Sequence, residues 1–134
     1  MYVLDTNVIS ALRRPDRAPR IAAWLRGVAE EDLFLSVVTI GEIARGIALQ
    51  RAKNPQFADD LSVWLGRTRD IYADRILPFD TAAAEIWGRL SAELGHPGAD
   101  LMIAATALSR GAAVVTVNVS DFVPTGVETI DPGG

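Results

Sequence analysis

The first seven residues constrain this chain most. Met1-Tyr2-Val3-Leu4 runs without a polar interruption into Asp5, and Asp5 is followed at once by Thr6 and Asn7. An apolar run that does not alternate belongs to a strand covered on both faces, as in a parallel sheet between helix layers. Thr6 and Asn7 both start helices readily, by side-chain capping. The pattern therefore predicts a buried strand that delivers a carboxylate to its own carboxyl end, the edge where open parallel sheets bind ligands.

The rest of the chain repeats this alternation. A short helix runs from Thr6 or Asn7 through Leu12 and stops at Pro15. Ile21, Trp24, Leu25 and Val28 form one apolar stripe of a second helix, and Glu30, Glu31 and Asp32 close it in a polar turn. Leu33 to Val37 reads as a second strand. A helix then starts at Thr39, with Ile40, Ile43, Ala44 and Ile47 inward, and breaks at Asn54-Pro55. Phe57, Leu61, Trp64, Leu65, Ile71 and Tyr72 continue as its antiparallel partner, giving a helical hairpin around residues 39–74. Arg75 to Phe79 is an edge strand, because Pro78 has no N–H for a central ladder. Asp80 or Thr81 caps a helix carrying Ile86, Trp87, Leu90 and Leu94, and Asp100 opens another over Leu101 to Leu108. Ala112 to Val117 is the most strand-like run, and a weak strand, Val127 to Ile130, follows. Strands and helices in turn predict an α/β domain, a small parallel sheet sandwiched by α-helices, occupying 1–134 as one unit.

Composition narrows the chemistry. With 134 residues, 49% hydrophobic and 22% charged, the chain has material for one real core. No apolar run reaches the roughly 18 residues of a membrane span, and Asp5 interrupts the first strand too early for a signal peptide, so a cytoplasmic protein without membrane contact is expected. There is no cysteine, which removes disulfides, thiolate ligands and cysteine nucleophiles, and His96 is the only histidine. A bound metal must then be held by oxygen. The net charge of −4 argues against a broad basic surface for nucleic acid, yet acids gathered around a cation give the same balance. Arg13, Arg14, Arg17, Arg20 and Arg26 crowd the segment after Asp5, suited equally to phosphate contacts and to a solvated helix face.

Each acid has an ordinary role available. Asp5 can cap a helix, Glu42 completes the capping box Thr39-Ile40-Gly41-Glu42, Asp100 sits favourably at a helix start, and Asp121 can be a turn residue beyond Asn118. Asp80 is a control, a helix-start acid to which only capping is assigned. The set is less ordinary, because a parallel fold brings all four positions to one carboxyl edge. Carboxylates gathered there resist ionisation unless a cation joins them. Mg²⁺ or Mn²⁺ against a phosphodiester is the chemistry that pattern suggests.

Four blocks then carry a resemblance. Tyr2 to Ile9, Ser36 to Ile43, Gly98 to Ala107 and Val115 to Phe122 resemble, in order and spacing, the blocks of a PIN-domain ribonuclease toxin of the VapC type. The likeness covers essentially the whole chain. It implies a homodimeric endoribonuclease dependent on Mg²⁺ or Mn²⁺, with a cognate antitoxin as partner, RNA as substrate, and operator DNA reached only through the antitoxin. By that resemblance Asp5, Glu42 and Asp100 are the three core acids and metal ligands. The family's fourth acid stands either at the position of Asn118 or at that of Asp121; Asp121 is taken as the fourth acid and Asn118 as a supporting amide, and Thr6, Asn7 and Thr116 line the site. Val117 departs from the pattern, since an arginine often precedes that asparagine.

Two other readings are weaker. A receiver- or phosphatase-type domain needs a lysine at the phosphoryl group, and Lys53, the only lysine, falls in a helix break. An inactive PIN-like module acting by association with protein or RNA fits the change at Val117 but leaves the acid set without a purpose. His96 is expected to be an exposed loop residue, and at least two of Trp24, Trp64 and Trp87 to be core.

Overall fold

A computed structural model describes every residue from Met1 to Gly134. Strand β1 (Tyr2–Leu4) leads into α1 (Thr6–Ala11) and α2 (Pro19–Arg26). Strand β2 (Leu33–Ser36) is followed by the long antiparallel pair α3 (Val37–Lys53) and α4 (Pro55–Ile71), then β3 (Ile76–Leu77). Helices α5 (Thr81–Leu94) and α6 (Ala99–Ser109) precede β4 (Ala113–Val115), and the one-turn α7 (Val119–Phe122) precedes β5 (Thr129–Ile130).

All strand pairs are parallel, in the order β3-β2-β1-β4-β5. The chain leaves the central β1 for β2 on one side and returns to place β4 on the other. The crevice between β1 and β4 is therefore the switch point of the sheet. The strands are shorter than their apolar runs predict, because side chains capture backbone at their ends. Ser36 Oγ accepts the N–H of Val38 at 3.0 Å, which stops β2 and starts α3. The helix thus begins at Val37, two residues before the expected Thr39, and the hairpin spans 37–71.

Alternate residues of the strands feed two cores. Leu4 and Val115 join Val8, Leu35, Ile43 and Ile47 on one face; Val3 and Val114 join Ile103, Ala104, Ala107 and Phe122 on the other. Helix α6 is apolar nearly all round because α5 packs on its outer side, and its buried alanines permit that close approach. Caps fix several boundaries. Asp80 accepts from Ala83 N, and Asn54 accepts from Phe57 N where Pro55 opens α4. Arg75 donates to the carbonyls of Glu30, Leu33 and Ile71, tying the end of α4 to the start of β2. Trp24 and Trp64 pack against the first core, and Trp87 meets Phe79 edge to face. No helix is long and apolar enough to cross a membrane.

Candidate active site

Asp5 leaves β1 in extended conformation and is itself the N-cap of α1, the ordinary role open to it, in place of Thr6 or Asn7. Its Oδ1 accepts the Thr6 N–H at 2.8 Å, and its Oδ2 accepts the Thr116 hydroxyl at 2.8 Å across the switch point. Thr116, just past β4 and fully buried, also accepts the N–H of Asn118 at 2.9 Å. With that donor fixed on its oxygen, the single hydroxyl proton of Thr116 is directed to Asp5, so β4 orients the carboxylate that β1 supplies.

Glu42 lies in the second turn of α3, and the expected capping box does not form. Ser36 caps the helix, and Glu42 Oε1 instead accepts the hydroxyl of Thr6 at 2.6 Å. The buried Thr39 hydroxyl stands 3.2 Å from the same Thr6 oxygen. A Thr6–Thr39–Glu42 cluster therefore joins the starts of α1 and α3. Reading along the sequence misses Thr39 as a site residue, although it sits in the same block as Glu42.

Asp100 is the second residue of α6, whose cap position is Gly98, and its carboxylate caps nothing. Asp121 is the third residue of α7 and exposed. Asp100 and Asp121 line one cleft of about 230 Å³ with Leu94, His96, Ser120 and Pro124. Asn118 is exposed and enters the network through its backbone N–H, while Val117 is 43% exposed. The exposed His96 is on the rim of this cleft, with its Nδ1 accepting the Gly98 N–H at 3.3 Å.

Electrostatics connect these groups. Burial pushes the Asp5 carboxyl above its ordinary value of 3.8; the bonds from Thr116 and Thr6 pull it back, and the charges of Glu42 and Asp100 raise it again. Asp5 thus senses the acid from each side of the switch point. Arginines do not relieve this: the ion pairs are Arg51–Asp59, Arg75 with Glu30 and Asp74, and Arg110–Asp80. Asp5, Glu42, Asp100 and Asp121 have no cationic partner, and the buried Asn7 Oδ1 has no hydrogen-bond partner; Glu42 opens to one hollow, Asp100 and Asp121 to another. No three acids are gathered into a group that could hold a metal ion by themselves. All these donors are hard oxygens, and an ion such as Mg²⁺ needs only one or two carboxylates, with water completing its shell.

A parallel α/β sheet with acids at the end of β1 and in the starts of α3 and α6 defines a doubly wound α/β domain with its candidate site at the switch point. Comparison with known proteins narrows it, since the PIN domain model matches residues 2–122. The chain belongs to the PIN-domain family. It is similar to the VapC ribonuclease Y4jK of Sinorhizobium fredii, 38% identical with 98% of this chain and 97% of that protein covered. It is also similar to toxin FitB of Neisseria gonorrhoeae, 35% identical with 98% of each chain covered. A solved structure of FitAB bound to an IR36 DNA fragment superposes with a TM-score of 0.85 at 34% identity, covering 100% of this chain and 96% of that one.

Proposed function

We propose that the protein is a divalent-metal-dependent endoribonuclease and the toxin of a toxin–antitoxin pair. The observation that carries this reading is the unpaired carboxylate set around Asp5, in a chain whose full-length relatives are named a ribonuclease and a toxin. Asp5, Glu42 and Asp100, with Asp121 beside Asp100, would hold one or two Mg²⁺ or Mn²⁺ ions. An ion held there supplies an activated water and neutralises charge on the phosphate.

The chain's own residues do the rest. Thr116 and the Thr6 N–H keep both oxygens of Asp5 fixed, so the carboxylate presents its remaining lone pairs in one direction. The Thr6 hydroxyl, with Thr39 beside it, ties Oε1 of the exposed Glu42 to the start of α1. Asn7 offers its buried Oδ1 and the exposed Asn118 a surface amide, and Arg13, Arg14 and Arg17 offer forks to flanking phosphates. The FitAB structure, a complex on DNA, supports an antitoxin partner through which operator DNA is reached, and a homodimer in a cytoplasmic setting completes the reading.

A second reading is a binding module without turnover, favoured by the exposed Val117 where the family often carries arginine and by acids not gathered as a closed set. Controlled expression followed by sequencing of RNA ends separates the two. New RNA ends in the presence of Mg²⁺ or Mn²⁺, absent for Asp5→Asn, are expected. RNA ends that match between the two proteins overturn the nuclease reading.

A further inference from the structure

Beside Glu42 a hollow of about 310 Å³ opens between α1, α3 and α4. Its walls include Arg13, Gly46, Gln50, Phe57 and Trp64, and its mouth is shared with Thr6 and Glu42. Resting on the nuclease reading, we propose that this hollow is a subsite for one unpaired nucleobase of the RNA, next to the phosphate that is cut.

The chemistry of the walls selects this occupant. Phe57 and Trp64 are half-buried and offer aromatic faces, the surfaces on which splayed-out bases stack. The Arg13 guanidinium lies over the Phe57 ring, 5.1 Å from its centroid, so a base entering from that side meets a planar cation on which it can stack in turn. Gln50 is half-buried, and its side chain makes no hydrogen bond within the chain, leaving a donor and an acceptor on one planar group for a base edge. Glu42 is the only acid on the walls. A base in a duplex is stacked and paired, with its edges in grooves that these side chains do not enter, so the ligand is a nucleotide of a loop, bulge or single strand. Position supplies the link to catalysis: Glu42 is bonded to Thr6 at 2.6 Å, so a base seated here holds the adjoining phosphate at the acids.

Gly46 provides a clean test. A Cβ built there meets nothing within 4 Å, so a larger side chain grows into the hollow without displacing the acids. The experiment uses the full chain with Mg²⁺ or Mn²⁺ and short single-stranded RNAs that either carry each base or are abasic at the nucleotide next to the cut. Loss of the base is expected to lower kcat/KM of the natural sequence roughly tenfold or more, mostly through KM. Phe57→Ala and Gly46→Leu should lower it similarly, and these losses should not add to the loss from the abasic site. Full additivity, or equal cleavage of abasic and intact RNA, overturns the proposal. In a second arm, the same oligonucleotides are titrated into Asp5→Asn protein that also carries Trp24→Phe and Trp87→Phe, so that Trp64 is the one tryptophan whose fluorescence is followed. Quenching that needs the base and is lost in Gly46→Leu supports the subsite even if no cleavage occurs, in which case only the nuclease reading fails. If Gly46→Leu leaves both RNA readouts unchanged but abolishes binding of a protein partner, the hollow is a protein groove and the proposal falls.

Discussion

Asp5 is both a structural cap and the most heavily constrained acid, and the two roles pull against each other. As a cap it belongs to the fold, yet burial and its acidic neighbours raise its carboxyl above 3.8, so the folded chain binds that proton more tightly than the unfolded chain. Ionised Asp5 therefore costs stability at neutral pH, and the cost is relieved as pH falls through the raised folded value towards 3.8. In metal-free buffer Asp5→Asn should raise the melting midpoint at pH 7, with the increment shrinking on acidification; calorimetry across pH checks both. Added Mg²⁺ or Mn²⁺ should raise the midpoint of the wild type and leave Asp5→Asn nearly unmoved, because only the former gains a ligand of the native state. Val117 offers a complementary change. Being 43% exposed, Val117→Arg should alter stability by less than about 0.5 kcal/mol. On the nuclease reading it should lower KM for RNA and steepen the salt dependence by about one unit of slope.

At the scale of elements, the start of α3 decides where Glu42 lies. Ser36→Ala should cost about 1 kcal/mol in chemical denaturation by removing the cap. Thr39→Ala tests the other arrangement: it removes the hydroxyl beside Thr6 and should affect cleavage more than it affects helix stability. A larger stability loss at Thr39 than at Ser36 would restore the capping box that the sequence suggests. That box shows why helix types were easier to read than their starts. Val37 and Val38 are β-branched and continue the apolar run of β2, so propensity extends the strand, while one Ser36 side chain ends it. The alternation of elements, the Asn54-Pro55 break, the Asp80 cap and the edge position of β3 were all legible, because each depends on local chemistry. The bond from Thr6 to Glu42 spans 36 positions, and the hollow behind it is assembled from three helices. No local pattern carries either.

The whole molecule is organised by β1, which sends Val3 into one core and Leu4 into the other. Two cores that share a central strand cannot melt independently, so a single unfolding transition is expected by fluorescence and far-UV circular dichroism alike. Separate midpoints for the two probes would contradict that. Amide exchange should be slowest in β1, β2 and β4 and fastest in the 3₁₀ turn at Pro15–Arg17, which carries no buried residue.

The bond between Asp5 and Thr116 joins positions 111 residues apart. During synthesis, Asp5 and Glu42 leave the ribosome long before β4 exists to hold them, and β1 waits without its second neighbour. A growing polypeptide, or one released early by a stalled ribosome, therefore has the acids but not the clasp that aims them. On the nuclease reading, a polypeptide released before β4 is made is expected to leave RNA uncut.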